Sequence, residues 1–247
     1  MIDLHCHLLA GIDDGAPDVE TSIALAEIAI ADGITHMVCT PHIHPGRYDN
    51  TVDSIQQALV QFKSALKQRQ LPLQVSAAAE VRFGMEILDG IAQGRVPFLG
   101  QWKGEPVMLL EFPHGEVPFG AEKLIKWLRQ HQVVPMIAHP ERNKMIMKQP
   151  ERLKPFLEMG CLLQVTASAV AGGFGEVAQT IATQLLRENK VTILATDAHN
   201  LQHRPPQLTP GLQVAKSIVG EQAAMMLVKD NPWQLAESKF ISQRVIS

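Results

Sequence analysis

The 247-residue sequence is poor in cysteine, in aromatic residues and in clustered positive charge. Its three cysteines, Cys6, Cys39 and Cys161, are odd in number and far apart, which argues against a disulfide framework. Cys39 and Cys161 lie in apolar runs, so we expect them in the core. The net charge is −3 and no run of lysine or arginine forms a basic stripe, so the composition disfavours nucleic acid as a partner.

Long apolar runs are absent as well. The most apolar stretch, SIALAEIAIADGITHMVC, is interrupted by Glu27 and Asp32, and no segment reaches the roughly 18 uncharged residues of a membrane span. The N-terminus has neither a basic region nor a small-residue cleavage site. We therefore expect a cytoplasmic protein without membrane insertion.

Several catalytic motifs are also missing. The chain has no glycine-rich phosphate loop, no Gly-x-Ser-x-Gly elbow and no dinucleotide fingerprint. In a cysteine-dependent phosphatase, five residues separate the nucleophilic cysteine from an arginine that follows it. None of the three cysteines has an arginine at that spacing. These absences disfavour thiolate and serine chemistry.

Short apolar or β-branched runs alternate with longer amphipathic segments from end to end, and apolar residues make up 46% of the chain. The pattern predicts seven strands, at residues 2–7, 35–40, 74–80, 107–112, 134–139, 162–166 and 191–196. It predicts helices at 18–32, 52–69, 84–93, 119–131, 151–159 and 175–188, and a helical tail with a start signal at Asn231. Seven β/α units fit a closed barrel or a doubly wound parallel sheet. Because no linker divides the chain, we expect one domain over residues 1–247.

Histidine and acidic side chains gather at the carboxyl ends of the predicted strands, the edge where parallel α/β folds assemble their sites. Apolar strands such as VMLLEFP have no structural use for an unpaired carboxylate, whose burial is costly unless something neutralises it. The sequence therefore predicts a multinuclear metal site. Its mixed donors suit manganese, iron, zinc or cobalt without discriminating among them. The candidate ligands are His5, His7, Asp14, His42, Glu80, Glu111, His139, Asp197 and His199.

Arginines accompany these ligands. Arg142 and Arg204 follow candidate ligands by three and five residues, and a guanidinium can bind two phosphate oxygens at once. We predict that both bind substrate and assist catalysis, and that Arg47 is a further substrate contact; Arg82 is a weaker candidate. The alternative for each is a surface arginine or a salt bridge. A metal cluster flanked by arginines is typical of phosphate ester hydrolysis.

The ordered motifs MIDLHCHLLAGIDDG, TPHIHPGRY, a lone Glu80, LLEFP, IAHPER and ATDAHN followed by RPP resemble the polymerase and histidinol phosphatase (PHP) superfamily. Within it, the chain is most similar to the bacterial manganese-dependent tyrosine-protein phosphatases of capsule and exopolysaccharide operons, the CpsB/CapC type. The resemblance implies a distorted (β/α)7 TIM-like barrel, the PHP fold, with the metal site at the carboxyl ends of the strands.

The resemblance also implies three divalent cations, expected to be manganese, with iron, zinc, cobalt or magnesium as alternatives. One cation would be bound by His5, His7, Glu80 and Asp197, a second by Glu80, Glu111 and His139, and a third by Asp14, His42 and His199. The implied substrate is phosphotyrosine on the tyrosine-rich tail of a membrane-associated autokinase that controls polysaccharide export. We expect in-line attack of activated water on phosphorus, without a covalent phospho-enzyme.

Two alternatives stay open from the sequence. The chain could be a PHP phosphoesterase acting on a small phosphate such as histidinol phosphate, or a non-catalytic metal-binding barrel. The roles of Asp13 and His44 are also open. Tyr48, Phe83 and Phe112 are candidates for contacts with the tyrosine ring, although core packing explains the two phenylalanines equally well.

Overall fold

The computed structural model describes residues 1–241 and consists of parallel strands surrounded by helices. The strands are β1 (Ile2–Cys6), β2 (His36–Cys39), β3 (His42–Ile43), β4 (Gln74–Ala77), β5 (Glu80–Arg82), β6 (Gly100–Trp102), β7 (Glu105–Glu111), β8 (Val134–Ala138), β9 (Leu162–Thr166) and β10 (Ile193–Ala195). The helices are α1 (Val19–Ala31), α2 (Val52–Gln68), α3 (Glu86–Ala92), α4 (Ala121–Gln130), α5 (Lys144–Lys148), α6 (Lys154–Glu158), α7 (Ala167–Val170), α8 (Glu176–Arg187), α9 (Thr209–Val219), α10 (Glu221–Met225) and α11 (Asn231–Ile241).

The strands run in barrel order through two sheets. One sheet has the order β1-β2-β4 and the other β10-β9-β8-β7-β5-β3, with β6 antiparallel beside β7. The third predicted strand (74–80) is interrupted, and the second (35–40) is followed by the additional short strand β3, so that β2 and β4 lie in the first sheet while β3 and β5 lie in the second. Near the carboxyl ends, the Asp197 N–H donates to the His5 carbonyl (2.7 Å) and the His7 N–H to the Ala198 carbonyl (2.8 Å). The seven predicted β/α units are therefore confirmed, in consecutive order.

Local sequence signals explain where the main helices begin. The Asp18 side chain accepts a hydrogen bond from the Thr21 N–H (2.8 Å) at the start of α1. Thr51 and Ser54 form a reciprocal capping box at the start of α2, which buries an apolar face that includes Phe62 and Leu66. Burial of each such side chain contributes about 1.5–3 kcal/mol, so the caps set the helix ends while packing stabilises the helix.

Two predicted helices differ from the structure. Residues 151–159 form a 3₁₀ turn (Pro150–Leu153) followed by the short helix α6, because Pro155 has no N–H and is tolerated only in a first helical turn. The tail is already helical from Glu221, and a π-helical turn (Met226–Asp230) leads into α11. An α-helix does begin at Asn231, as predicted, but Asn231 does not cap it: the residue continues the preceding π-helical turn, and its side-chain amide donates to the Thr192 carbonyl (2.8 Å).

Among residues 1–241, apolar side chains form two buried clusters. The larger cluster packs strands against the surrounding helices and includes all three cysteines, which are free. The smaller cluster groups residues of several strands, among them Leu4, Leu109 and Met136, with Leu235 of α11. Within residues 1–241, no helix is long and apolar enough to cross a membrane.

Strand β1 does not alternate regularly, because its pairing with β2 shifts register between Asp3 and Cys6. Leu4 packs in the smaller apolar cluster, and His5 lies beside Glu80. The buried Asp3 carboxylate accepts hydrogen bonds from the Thr196 N–H (3.0 Å) and hydroxyl (2.5 Å). This part of the first strand is thus fixed to the segment that follows β10.

Asp3 makes stability depend on pH. Burial raises the pKa of Asp3 to about 6, so the folded protein binds this proton more tightly than the unfolded chain does. The contribution of Asp3 to the unfolding free energy of the wild type therefore falls as pH rises from about 4 to about 7, and the variant Asp3→Asn lacks this contribution. Urea denaturation of both proteins without metal measures this effect. As pH rises over that range, the unfolding free energy of the variant should increase relative to that of the wild type by at most about 3 kcal/mol. A difference that stays constant with pH would contradict this account.

Candidate metal centre

All nine predicted ligands lie in one connected set at the carboxyl ends of the strands. Most of these side chains are buried, and Asp14 is the most exposed of them. Three subsets have ligand atoms within 4.8 Å of one another, and His139 contacts Glu80 at 2.8 Å. These subsets are His5, His7, Glu80 and Asp197; His42, Glu80 and Glu111; and His7, Asp14, His42 and His199.

The first subset has the spacing of a single coordination sphere. The Nε2 atoms of His5 and His7 are 3.3 Å apart, and each lies 3.2–3.3 Å from both Glu80 Oε2 and Asp197 Oδ1. Ligands about 2.1 Å from a tetrahedral cation are separated by about 3.4 Å. The four atoms therefore fit around one divalent ion with little rearrangement.

The other two subsets meet at His42. Its Nδ1 lies 3.1 Å from Glu80 Oε2 and 4.0 Å from Glu111 Oε2, whereas its Nε2 lies 3.4 Å from Asp14 Oδ1. His199 Nε2 lies 3.5 Å from the same Asp14 oxygen. The imidazole of His42 is therefore placed between two subsets, whereas the sequence motifs place it in one.

Buried polar atoms without hydrogen bonds show that the residues fit a cation. Within residues 1–241, His42 Nδ1, Glu80 Oε2, Glu111 Oε2 and Asp197 Oδ1 make no hydrogen bond. Arg82 Nη1 lies 3.0 Å from the Glu111 oxygen as an ion pair. Leaving buried acceptors unsatisfied costs about 1–3 kcal/mol each, and more when they are charged. Divalent cations would satisfy these atoms, and mixed nitrogen and oxygen donors suit first-row metals.

The charges of four candidate ligands, Glu80, Asp197, His139 and His199, suit metal binding. Burial opposes ionisation of Glu80 and Asp197, but His5 holds both pKa values well below the usual range, with help from Arg204 and Arg142 at Asp197. Burial lowers the pKa of His139 and His199, which keeps their imidazoles neutral. The carboxylates are thus anionic and these two imidazoles have free lone pairs, as metal ligands require.

Two ligand positions have a strained backbone. His139 (φ 33°) and Asp197 (φ 51°) adopt the left-handed conformation directly or shortly after β8 and β10. A non-glycine residue in this region costs on the order of 1–3 kcal/mol and persists only where the surrounding structure imposes it. These turns place the His139 side chain beside Glu80 and the Asp197 side chain beside His5.

Two supporting residues orient the imidazoles. Asp13 Oδ2 lies 2.7 Å from His7 Nδ1, and Gln164 Oε1 lies 2.8 Å from His5 Nδ1. Gln164 also accepts a hydrogen bond from the His139 N–H (3.1 Å). Each contact leaves Nε2 of the ring available to a cation, as partners of metal-bound histidines usually do.

Sequence reasoning left the role of Asp13 open and passed over Gln164, because the sixth strand has no histidine or acid. The available signal was a polar side chain in the middle of the apolar run LLQVT. Gly15 is a further requirement of this region, since a Cβ added there would lie 2.0 Å from the His7 carbonyl oxygen.

The arginines line the same cavity as the ligands, a space of about 250 Å³. Arg142 and Arg204 both contact Asp197 Oδ2, and the Arg142 guanidinium lies 4.3 Å from the centre of the Phe174 ring. Arg47 is exposed, and its guanidinium lies 5.0 Å from the centre of the Tyr48 ring. Arg142 and Arg204, each in a salt bridge with Asp197, therefore place two positive charges on the wall of the cavity.

Other residues of the cavity wall are His44, Tyr48, Arg82 and His114. Tyr48 stacks on the His42 ring, with centroids 5.5 Å apart. His114 follows the fourth predicted strand and was not singled out in the sequence. Phe83 and Phe112, the other two candidates for ring contacts, pack against each other (6.0 Å), and Phe112 is buried.

Known proteins resemble this chain along most of its length. A family model described as capsular polysaccharide synthesis, CpsB/CapC, matches residues 1–237. The chain is 34% identical over 230 residues to tyrosine-protein phosphatase YwqE of Bacillus subtilis, covering 93% of this chain and 89% of that protein. It is 26% identical over 246 residues to tyrosine-protein phosphatase CpsB of Streptococcus agalactiae, covering 98% and 100%.

A solved structure shows the same similarity. It comes from a crystallographic study of YwqE from Bacillus subtilis and CpsB from Streptococcus pneumoniae, described as metal-dependent tyrosine phosphatases. It matches this chain with a TM-score of 0.88 at 33% identity, over 95% of this chain and 94% of the other. The expected α/β fold is thereby confirmed.

The contact between Asp13 and His7 predicts an effect on metal affinity. In Asp13→Asn, a neutral amide replaces the carboxylate that orients the imidazole and increases its basicity, so manganese affinity should fall about 10–100-fold. Competition with a chelating dye measures this affinity. Asp49→Asn is the matched control, because Asp49 is an exposed loop acid that accepts a bond from the Gly46 N–H (2.7 Å). Equal affinity in the two variants would contradict the assigned role of Asp13.

Proposed function

The chain belongs to the CpsB/CapC family of capsular polysaccharide synthesis proteins, and on that premise we propose that it is a metal-dependent tyrosine-protein phosphatase. The observation that carries the proposal is the convergence of nine imidazole and carboxylate side chains with two arginines on one cavity. The activity of the named relatives supports this reaction over a small-phosphate esterase or a non-catalytic barrel. We also propose that residues 1–247 act as one catalytic domain.

We propose that three divalent cations, manganese in the first place, bind between the candidate ligands. His5, His7, Glu80 and Asp197 would hold one cation; Glu80, Glu111 and His139 a second; and Asp14, His42 and His199 a third. Divalent cations bound there would make water nucleophilic at neutral pH and neutralise charge on the phosphoryl group. The grouping of ligand atoms in space supports the first and third sets. Beside Glu80 and Glu111 it places His42 rather than His139, which contacts the other Glu80 oxygen at 2.8 Å, so His42 is able to serve two cations.

Arg142 and Arg204 would bind the nonbridging oxygens of the phosphate. Both guanidinium groups already share Asp197 Oδ2 and line the cavity, so their charge is oriented before substrate arrives. Arg47 would contact the substrate from the exposed rim. The leaving group is a phenolate, whose phenol has an ordinary pKa of about 10. It therefore departs with less need for a general acid than an alkyl alcohol would have.

The cysteines support direct attack by water on phosphorus over a covalent phospho-enzyme. Cys6, Cys39 and Cys161 are all buried and free. Burial raises the pKa of Cys161 to about 12, and that of the Cys6 thiol well above its usual range. A cysteine nucleophile needs access to substrate and a lowered pKa; all three thiols are buried, and the pKa values of Cys6 and Cys161 are raised instead.

We propose that the physiological substrate is phosphotyrosine on the tail of a membrane-associated bacterial tyrosine autokinase, so that hydrolysis regulates polysaccharide synthesis. The family's description as capsular polysaccharide synthesis proteins supports this role. A cytoplasmic location and the absence of a nucleic-acid partner remain predictions from the sequence.

Hydrolysis of p-nitrophenyl phosphate and of a phosphotyrosyl peptide tests the reaction directly. We expect turnover of both with added manganese, loss after thorough chelation and recovery when manganese is returned. His139→Ala and Asp197→Ala remove candidate ligands and should abolish most of the activity. Activity that survives chelation, or normal rates in both variants, would refute the proposal.

The role of the arginines has a separate test. Arg142→Lys and Arg204→Lys keep the charge but lose the two-pronged donor, so kcat/KM should fall about 10²–10³-fold with manganese content unchanged. Arg129→Lys is the matched control, since Arg129 forms a similar pair with Glu105 (2.8 Å) outside the cavity. If the loss of activity follows loss of metal, the arginines serve only to hold Asp197.

A further inference from the structure

A second and larger cavity adjoins the metal site. It is a groove of about 690 Å³, bordered by the segment that runs from β3 into α2 and by β5 with α3. Its apolar lining consists of Ile43, Pro45, Val52, Val81, Ile87 and Val96. A groove of this size is within the range of ligand-binding pockets, and an apolar floor gains free energy when it is covered.

The groove adjoins the metal cavity, because Tyr48 and Arg82 line both. The Tyr48 ring stacks on His42, and Arg82 Nη1 lies 3.0 Å from Glu111 Oε2. A phosphate bound among the ligands would therefore be next to the mouth of the groove. Whatever is attached to that phosphate can extend along it.

The rim of the groove is acidic. Asp49, Asp53 and Glu86 are exposed, and no ion pair involves them in the part of the chain that the structure describes. The two arginines of the groove are already paired: Arg82 lies by Glu111, and Arg95 contacts Asp89 at 2.5 Å. The rim thus presents unneutralised negative charge, which favours a positively charged occupant.

We propose that this groove binds the polypeptide segment beside the phosphotyrosine, with an apolar side chain on the floor and a lysine or arginine at the rim. The inference rests on the proposed phosphatase function and adds a sequence preference to it. The metal cavity recognises the phosphate, and the groove selects the chain that bears it. Substrates without such a segment, such as p-nitrophenyl phosphate, use only the metal cavity.

A bulky side chain placed on the apolar floor of the groove tests whether a peptide binds there. Val52 is 42% exposed and lines the groove, so Val52→Trp should lower kcat/KM about tenfold for a phosphotyrosyl peptide with apolar and lysine neighbours. Turnover of p-nitrophenyl phosphate should stay unchanged. Val60→Trp is the matched control, because Val60 is on the same helix, is 56% exposed and lies outside the groove.

The rim is tested by reversing one charge. Glu86→Lys should lower kcat/KM about threefold for the lysine-flanked peptide and raise it for a glutamate-flanked one, and added salt should reduce both changes. Glu122→Lys is the control, since Glu122 occupies the first turn of α4 as Glu86 occupies that of α3. The control should show neither change.

Binding of a non-hydrolysable phosphonate peptide, followed by fluorescence anisotropy, separates this inference from the phosphatase activity. Weaker binding by Val52→Trp than by Val60→Trp would support the groove. Equal binding and an equal ratio of peptide to p-nitrophenyl phosphate turnover in all variants would overturn it while leaving the phosphatase intact. A change in sedimentation with unchanged peptide turnover would also overturn it, by assigning the groove to self-association. If the wild type with manganese hydrolysed neither substrate, the proposed function itself would fail.

Discussion

Glu80 imposes the main constraint on this structure, because its buried carboxylate lies 2.8–3.3 Å from four imidazoles, those of His5, His7, His42 and His139. These histidines come from three separate segments, His5 and His7 from β1 and its end, His42 from β3 and His139 from the end of β8, so the imidazoles surround the carboxylate only when the strands are assembled. An isolated buried carboxylate is too costly to persist. The strands, the strained turns and the supporting side chains all serve to keep these groups together.

The barrel meets this constraint by interrupting its third predicted strand. β4 pairs in the first sheet and β5 in the second, and Glu80 is the first residue of β5. The interruption occurs just before the ligand, where the two sheets meet. On the opposite side, hydrogen bonds between the His5 and Asp197 segments bring the first and last strands together. The candidate site therefore lies where the two sheets meet. Side chains from both sheets come together there, which brings many charged groups into one buried place.

Much of this arrangement could be predicted from the sequence, because parallel strands present their carboxyl ends at one edge and most of the nine candidate ligands lie at or shortly after the ends of apolar runs. The sixth strand was predicted with its observed bounds, Leu162–Thr166. Other features depend on packing between distant segments: the extra strand β3 after the second predicted strand, the interruption of the third, the shared position of His42, and the contact of Gln164 with His5. Two further differences have local causes. Pro155 limits α6 to a short helix, although the apolar pattern predicted one helix over 151–159. Helical structure also precedes Asn231, where the capping signal predicted a start.

The central claim is that cations neutralise the buried carboxylates around Glu80. Anomalous X-ray diffraction from crystals grown with manganese and measured at the manganese edge tests it most directly. The account predicts three anomalous peaks, one of them among His5 Nε2, His7 Nε2, Glu80 Oε2 and Asp197 Oδ1. A map of the manganese-loaded protein with no anomalous density at these atoms would contradict the account.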